Sequence, residues 1–497
     1  MRKVKKLLGL LLAAVMVLAM GTTAFADEKT HTITAPNNGH TYEVYQIFTG
    51  DYSEGDNSQK VLSNVKWGKN GTGTQGDNVS EEILTELKNA NGSDTEQLAV
   101  IKKYAKLQSS DKFGTVTYGS PLEVPSGYYL IKDEDGSQEN EQDSYTLYIV
   151  QVVGENITIA PKAGVPESEK KVDDKNDSNT TEDEESWQDS ADYDIGDHVP
   201  YQLTATLPDN VSNYTSYTLK FVDTMSRGLT YDADSAEVFV NGKSAGKLEP
   251  TSANYSGDDD RYTDGTVLTW NFDNIKAAPY NAGNNAVITI KYTAKLNNNA
   301  VMGSAGNPNK MHIEFSNNPN GEGTGKTPDD TNIVFTYKVV VIKVDEDKKP
   351  LAGAQFTLQK KQANGSWEDI GSATVSENQA TFTFSGLDDG DYKLSETKTP
   401  DGYNDIADIV FTITAEHDIV SNDPRLTSLT GDTTTGEITF TPNTSNGSLT
   451  TDVENKSGAE LPETGGMGTT IFYVLGAILV IGAGVLLIAR RRTDSEK

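Results

Sequence analysis

Short segments in which apolar and polar residues alternate recur along most of the chain and restrict it to a β-rich fold. Examples of such segments are 217–222, 286–292, 381–384 and 438–440. They are rich in Val, Ile, Thr, Tyr and Phe, and Asn, Gly and Asp separate them, as in strands joined by turns. Helices are predicted only at 81–88 and about 96–107, in the first third of the chain. The pattern therefore predicts an all-β chain built from β-sandwiches.

The first 26 residues have the layout of a secretory signal peptide. Basic residues at positions 2–6 precede an apolar run over 7–20, and Ala24-Phe25-Ala26 follows. A short transmembrane anchor is the alternative, but the run is short for a bilayer and a small-residue cleavage site follows it. We expect cleavage between Ala26 and Asp27, so that the mature chain begins at Asp27.

The other end has three parts in a fixed order. These are the pentapeptide Leu461-Pro462-Glu463-Thr464-Gly465, an apolar segment over about 471–489, and the basic run 490–492. The apolar segment is long enough to cross a membrane as a helix, and the arginines are expected to stay cytoplasmic. An ordinary C-terminal membrane anchor is the alternative explanation.

The order of these parts resembles the cell-wall sorting signal of Gram-positive surface proteins. The resemblance implies that a sortase cysteine attacks the carbonyl of Thr464 and releases everything from Gly465 onward. An amine then resolves the acyl-enzyme. The implied product is secreted, covalently attached to the cell wall, and spans the membrane only transiently.

Composition agrees with an exported surface protein. The 497 residues include 73 acidic and 42 basic side chains, which gives a formal charge of −31. That charge favours solubility and argues against a nucleic-acid partner. Because the chain has no cysteine, disulfides cannot stabilise it outside the cell.

The chain has room for about three domains of ordinary size between the two terminal signals. Two prolines within 160–169 and the Asn-, Gly- and Pro-rich stretch 317–330 indicate linkers, and 173–192 is expected to form a long acidic loop. We expect tandem immunoglobulin-like β-sandwiches. The predicted segments are the signal peptide 1–26, an N-terminal domain 27–162, a middle domain 163–331, a C-terminal domain 332–458 and the sorting region 459–497.

Three polar residues of the C-terminal domain share the phase of its apolar residues. Lys343 lies in the apolar strand 337–344 on the face of Val339 and Val341, and Glu396 follows Tyr392 and Leu394 at a spacing of two. Asn455 shares a phase with Val453. A buried charged lysine is costly unless it is paired. From phase alone, the pattern fits either a common buried site or a salt bridge with an unrelated surface asparagine.

The segments around these residues resemble known families. Residues 351–358 (LAGAQFTL) look like the start of a collagen-adhesin B-type domain, and 392–403 looks like the E-box of sortase-assembled pilins. The resemblance implies an intramolecular isopeptide bond between Lys343 and Asn455, formed with the help of Glu396. Burial favours the neutral amine and the protonated acid that such a reaction needs, and fixed partners gain from proximity.

The middle domain resembles that of backbone pilins across most of 170–300. Asp223 follows Tyr217, Leu219 and Phe221 in the phase of a strand, although a turn residue that caps a backbone amide is the alternative. The resemblance implies a bond between Lys170 and Asn297 with Asp223 as the catalytic carboxyl. Lys170 is preferred to Lys171 because it shares a phase with Val172. Simple alternation places Asn297 on the opposite face from Ile290 and Tyr292, so Asn298 and Asn299 stay open as partners.

The end of the N-terminal domain resembles the pilin motif, in which a lysine after a proline accepts the sortase-bound chain. Here Lys162 follows Pro161, while Ala160 and Ala163 stand where the family has an aromatic residue and an asparagine. The resemblance implies that Lys162 is the acceptor amine. A solvated linker lysine is the alternative.

Together these features predict the major structural subunit of a covalent surface pilus, polymerised from Thr464 to Lys162 of the next subunit. The implied partners are pilin-specific and housekeeping sortases, other copies of the chain, peptidoglycan, minor pilins and a host receptor. The alternative is a wall-anchored adhesin or minor pilin that does not form the shaft. No hydrolase or metalloprotease motif is present and the five histidines lack metal-ligand spacing, so neither an enzyme nor a cofactor is expected. The sequence assigns no metal ligands, and the acidic stretch 258–260 fits either a solvated loop or a calcium site.

Overall fold

The computed structural model describes residues 30–493 apart from 55–59, 91–93, 138–141, 147, 162, 176–177, 179–184, 437 and 459–466. Its first unit combines strands with a helical insertion. The strands are β1 Thr30–Thr34, β2 Tyr42–Glu54, β3 Lys60–Trp67, β4 Gly114–Val116, β5 Leu122–Pro125, β6 Gly127–Asp133, β7 Ile149–Val153 and β8 Ile157–Thr158. Helices α1 Glu81–Asn89 and α2 Asp94–Lys103 pack beside the sheet β3-β2-β6-β7, and β5-β1-β8 forms a second sheet.

The middle unit is a sandwich of two larger sheets. Its strands are β9 Glu167–Asp173, β10 Trp187–Gln188, β11 Ser190–Asp192, β12 His198–Thr206, β13 Leu219–Met225, β14 Leu229–Tyr231, β15 Glu237–Val240, β16 Lys243–Lys247, β17 Thr251–Asn254, β18 Thr266–Phe272, β19 Val287–Leu296, β20 Asn307–Ser316, β21 Thr324–Lys326 and β22 Asp330–Phe335. One sheet has the order β10-β9-β12-β19-β15-β16 and the other β11-β22-β20-β13-β18-β17. Alternating residues of both sheets fill one apolar core between them.

The C-terminal unit is a smaller sandwich. Its strands are β23 Tyr337–Val344, β24 Gln355–Lys361, β25 Trp367–Ser372, β26 Thr374–Val375, β27 Thr381–Leu387, β28 Gly390–Lys398, β29 Ile409–His417, β30 Leu426–Thr433, β31 Thr441–Asn443 and β32 Ser448–Glu454. The sheets are β26-β27-β23-β32-β31 and β25-β24-β28-β29-β30. The first and last strands, β23 and β32, lie parallel to each other, with Lys343 opposite Val453.

The predicted all-β, tandem immunoglobulin-like architecture is confirmed, with local differences. The segment 438–440 is not a strand, and the strand there is β31, which begins at Thr441. The expected loop 173–192 contains the short strands β10 and β11, because they pair with β9 and β22. The predicted boundary after residue 331 falls inside β22, which hydrogen-bonds to β20 of the middle unit. The change of sheet therefore comes at Thr336.

A long helix covers the apolar segment that the sequence predicted to span a membrane. Helix α3 runs from Met467 to Thr493, and its side chains Phe472, Leu479 and Leu486 are exposed. Within the residues that the structure describes, no helix has both the length and the apolar character that crossing a membrane requires.

Hydrogen bonds join the first unit to the middle unit. The backbone N–H of Tyr145 donates to Asn317 O at 2.7 Å, and Asn320 Nδ2 donates to Thr146 O at 2.8 Å. The stretch that the sequence marked as a linker, 317–330, thus begins by docking on the segment around 143–148. That segment is in turn held by His40, whose Nδ1 lies 2.9 Å from Asp133 Oδ1 and whose Nε2 lies 2.6 Å from Asp143 Oδ2.

This histidine predicts a pH dependence of the first unit's stability. The hydrogen bond to Asp133 and then that to Asp143 raise the pKa of His40 from 6.5 to about 9, against the effect of burial. Because folding raises this pKa, protonation of His40 stabilises the folded state. The stabilisation is fully present at a pH below 6.5, the pKa of the unfolded chain, and disappears as the pH rises through about 9. We expect a loss of roughly 1–3 kcal/mol over that range. Thermal unfolding between pH 6 and 9.5 checks this, with His40→Gln as a variant whose profile should be flatter.

Candidate cross-linking and anchoring sites

The C-terminal unit holds a buried lysine, carboxyl and asparagine in contact. Lys343 comes from β23, Asn455 follows the adjacent strand β32, and Glu396 comes from β28 of the facing sheet. Lys343 and Asn455 are fully buried. Lys343 Nζ donates to Asn455 Oδ1 and, at 2.9 Å, to Val453 O. Asn455 Nδ2 donates to Glu396 Oε2 at 2.9 Å and to Asn404 O at 2.8 Å.

The surroundings make the Lys343 amine easier to deprotonate. Burial lowers the pKa of Lys343 from 10.5 to about 8, and the nearby carboxyl of Glu396 opposes that shift. Glu396 Oε1 is buried without a hydrogen-bond partner and lies 3.8 Å from Lys343 Nζ. One oxygen of Glu396 therefore faces the amine while the other holds the amide nitrogen.

This arrangement suits acyl transfer from the amide to the amine. The Lys343 amine and the Asn455 carboxamide are adjacent, and groups held together in this way react faster than groups that must first meet in solution. A carboxyl that touches both partners can take a proton from the amine and deliver it to the departing nitrogen. The structure thus brings together the three residues whose strand phase pointed each of them towards the core.

The middle unit contains a second buried lysine–carboxyl pair. Lys170 of β9 and Asp223 of β13 are fully buried, and Lys170 Nζ lies 2.5 Å from Asp223 Oδ1 across the two sheets. Burial lowers the pKa of Lys170, and Asp223 opposes the shift. Tyr292 donates its hydroxyl to Asp223 Oδ2 at 2.6 Å and accepts from Lys170 Nζ at 3.3 Å.

The structure does not bring Asn297 to this pair, which corrects the sequence-based pairing. The strict alternation of β19 continues through Leu296, so Asn297 lies past the strand and off the core face. Its Nδ2 donates instead to Arg227 O at 3.0 Å and to Thr230 Oγ1 at 2.8 Å. Asn298 and Asn299 are exposed and are no better placed.

Asn309 is the asparagine that lies beside the middle pair. It is fully buried, and its Nδ2 donates to the Tyr292 hydroxyl at 2.8 Å, the same hydroxyl that contacts Lys170 and Asp223. Its Oδ1 has no hydrogen-bond partner. The sequence contained a signal for it, because Asn309 shares a phase with Met311, Ile313 and Phe315. The family resemblance instead predicted Asn297, which follows β19, as the partner of Lys170.

The remaining predicted residues fall outside those that the structure describes. They are Ala26, Asp27, Lys162 and the pentapeptide Leu461, Pro462, Glu463, Thr464 and Gly465.

The chain on either side of position 162 is held in place. Ile159 N donates to Thr34 O at 2.8 Å, and Gly164 N donates to Ser144 Oγ at 2.9 Å. Lys171 is half-buried and contacts Asp189 Oδ1 at 2.6 Å, so the buried lysine of β9 is Lys170.

Comparisons with known proteins agree with this organisation. Residues 337–425 match the SpaA prealbumin-like fold domain, 195–319 match the Gram-positive pilin backbone subunit 2, Cna-B-like domain, and 453–495 match the LPXTG cell wall anchor motif. The chain is 27% identical to the trypsin-resistant surface T6 protein of Streptococcus pyogenes serotype M6, over 97% of this chain and 99% of the relative.

The chain is also similar to solved structures. The T6 backbone pilin of serotype M6 Streptococcus pyogenes superposes with a TM-score of 0.50 at 20% identity, covering 88% of this chain and all of the other. The major pilin SpaD from Corynebacterium diphtheriae gives a TM-score of 0.46 at 15% identity, covering 88% and 99% of the two chains.

Tandem β-sandwiches followed by a cell wall anchor motif define a class of wall-attached surface proteins. Within that class, residues 195–319 match a pilin backbone domain and residues 337–425 match a SpaA-type domain, so both described sandwiches that follow the first unit resemble domains of Gram-positive pilins. The chain is a pilin-type subunit of the cell surface, attached to the cell wall.

Proposed function

We propose that a sortase joins the Thr464 carbonyl of one subunit to the Lys162 amine of the next. Each subunit then carries one donor and one acceptor, so that growth is linear. A housekeeping sortase would transfer the last subunit to a peptidoglycan amine instead. The sorting pentapeptide and the anchor motif at 453–495 support the donor end. The hydrogen bonds of Ile159 and Gly164 support the acceptor end, since they fix the described residues on both sides of Lys162 to the first unit.

We further propose that the subunit cross-links itself at two sites and turns over no substrate. The Lys343–Asn455 bond forms with Glu396 as the proton carrier. The Lys170–Asn309 bond forms with Asp223 in that role, and Tyr292 positions the partners. The observation that carries this proposal is the buried contact of Lys343 with Asn455 and of Asn455 with Glu396.

The reaction balances without a cofactor. The neutral lysine amine attacks the asparagine Cγ, the neighbouring carboxyl group relays a proton from the amine to the amide nitrogen, and the tetrahedral intermediate collapses as that nitrogen leaves as ammonia. One C–N bond forms, one breaks, and one ammonia is released for each cross-link. Covalent ties of this kind cannot be reduced, which suits an exported chain without cysteine.

Intact mass and peptide mapping of the mature chain test the self-cross-linking. We expect a deficit of two ammonias, with branched peptides that join 343 to 455 and 170 to 309. Because Asn309 lies in the core and Asn297 at its edge, Asn309→Ala should restore one ammonia while the matched control Asn297→Ala should not. A mass equal to the plain sequence would remove both cross-links from the proposal. A branch from Lys170 to Asn297 or to the neighbouring buried Asn332 would overturn the assignment to Asn309.

A further inference from the structure

Three side chains from two units converge where the middle and C-terminal sandwiches meet. Asp174 and Asp192 belong to the middle unit, at the end of β9 and in β11, and His417 ends β29 of the C-terminal unit. One atom of each lies within 4.8 Å of the others. His417 Nε2 is 3.8 Å from Asp174 Oδ2 and 4.0 Å from Asp192 Oδ1. These separations are too long for hydrogen bonds.

Hydrogen-bond accounting assigns the tautomer of His417. The Ser190 hydroxyl has one proton, which it donates to Asp418 O at 2.6 Å. Its oxygen must therefore accept from the Nδ1–H of His417, 2.7 Å away. In the neutral ring with this tautomer, Nε2 carries a lone pair.

The Nε2 lone pair of His417 faces the carboxyl oxygens of Asp174 and Asp192, which are hydrogen-bond acceptors as well. The His417 side chain is only 7% exposed, and the described residues provide no hydrogen bond to its Nε2. Two carboxyl groups and an imidazole nitrogen that face one another in this way would be stabilised by a cation between them. The burial of most of the His417 side chain is the observation that distinguishes the cluster from a solvated acidic patch.

Each of the three groups is also held by a further hydrogen bond. Asp192 Oδ2 accepts from the backbone N–H of Asp389 at 3.2 Å, and Asp174 Oδ2 accepts from Gln188 Nε2 at 2.6 Å. Ser190 orients the imidazole through Nδ1. Hydrogen bonds of this kind hold the ligands of metal sites in proteins.

We propose that Asp174, Asp192 and His417 bind one divalent transition-metal ion of the Zn²⁺ type. One imidazole nitrogen and two carboxylate oxygens suit Zn²⁺, whereas Ca²⁺ and Mg²⁺ prefer oxygen ligands alone. Zn²⁺ bonds of about 2.0–2.2 Å place ligand atoms a little closer together than they lie here, so small side-chain movements complete the site. Asp174 is 26% exposed, which leaves the fourth position to water.

The ion would tie two units together. Its ligands come from both sandwiches, at a junction already bridged by the 2.9 Å hydrogen bond from Ile195 N to Gly386 O and by Lys360 Nζ, 2.7 Å from Asp194 Oδ2. Metal binding would thus stabilise one relative orientation of the middle and C-terminal units. This role is independent of the proposed isopeptide bonds, which lie inside each unit.

Titration of the EDTA-treated mature chain with ZnCl₂ tests the site. We expect one Zn²⁺ per chain by calorimetry and by elemental analysis, together with a higher Tm. Asp174→Asn and His417→Gln should each weaken binding at least tenfold. His312→Gln is the matched control, because His312 also pairs with an aspartate, Asp329, at 3.2 Å but lies outside the cluster.

Two readouts separate a lost site from a damaged fold. In the absence of metal, the variants should keep the cross-link mass deficit and the thermal transition of the unsubstituted chain. Asp174→Asn, which changes charge but not size, should preserve folding if His417→Gln does not. No Zn²⁺ binding to the unsubstituted chain would overturn the proposal, as would equal binding by both variants. Binding of CaCl₂ as tight as that of ZnCl₂ would also contradict it.

Discussion

Replacing Lys162 with alanine is expected to abolish the high-molecular-mass ladder of sortase-linked subunits and leave single subunits attached to the cell wall. In the proposed reaction, the acyl-enzyme at Thr464 needs an amine to resolve it, and without Lys162 the amines of peptidoglycan would be the remaining acceptors. Polymer abundance should fall by more than tenfold, because Lys162 is the proposed acceptor and the sequence between Ile159 and Gly164 contains no other lysine. Immunoblots of wall extracts, boiled in detergent, measure this in a host that carries the cognate sortases.

Two variants sharpen the polymerisation experiment. Lys162→Arg keeps the positive charge and much of the length, but a guanidinium stays protonated and cannot act as the nucleophile, so it should behave like alanine. Lys106→Ala removes an exposed lysine of the same unit and should leave the ladder unchanged. A normal ladder from Lys162→Ala would show that another lysine is the acceptor.

Loss of the C-terminal cross-link is expected to be the largest single change in stability. The bond would join residues 112 positions apart, and closing a loop of about 100 residues stabilises a folded domain by about 4–5 kcal/mol in the chain-entropy account. Glu396→Gln keeps the size of the side chain but cannot carry the proton. We expect this variant to keep the ammonia that the unsubstituted chain loses at this site. We also expect the Tm of its C-terminal unit to be lower by roughly 15–25 °C. Intact mass and calorimetry measure the two effects together.

Further variants separate the missing bond from an unpaired buried charge. Lys343→Met removes the nucleophile without leaving a charge in the core, and Asn455→Ala removes the acyl group while Glu396 stays beside the lysine. All three variants should lack the bond. Glu454→Gln is the matched control, since it breaks only the exposed pair with Lys348, at 2.9 Å, and should change stability by less than about 0.5 kcal/mol. If Glu396→Gln retained the mass deficit, Glu396 would not be the proton carrier.

Period-two alternation placed several buried polar residues correctly. Lys343, Glu396, Lys170 and Asp223 each share the phase of apolar neighbours in one strand, and all lie in the core. The signal is local, because the pleat of a strand assigns each side chain to a face whatever the strand pairs with. The same rule already indicated that Asn297 faces away from the core, and the structure agrees with the rule rather than with the resemblance.

The sequence by itself determined the all-β architecture, the two terminal signals and the faces on which the polar core residues lie. Only the tertiary structure decided which of those residues meet. Asn309 reaches Lys170 through Tyr292 because β20 and β9 belong to facing sheets, and His417 meets Asp174 and Asp192 because two units dock there. Alternation along a strand is a property of neighbouring residues, whereas strand pairing, sheet packing and domain docking join residues more than a hundred positions apart. No local pattern specifies those contacts.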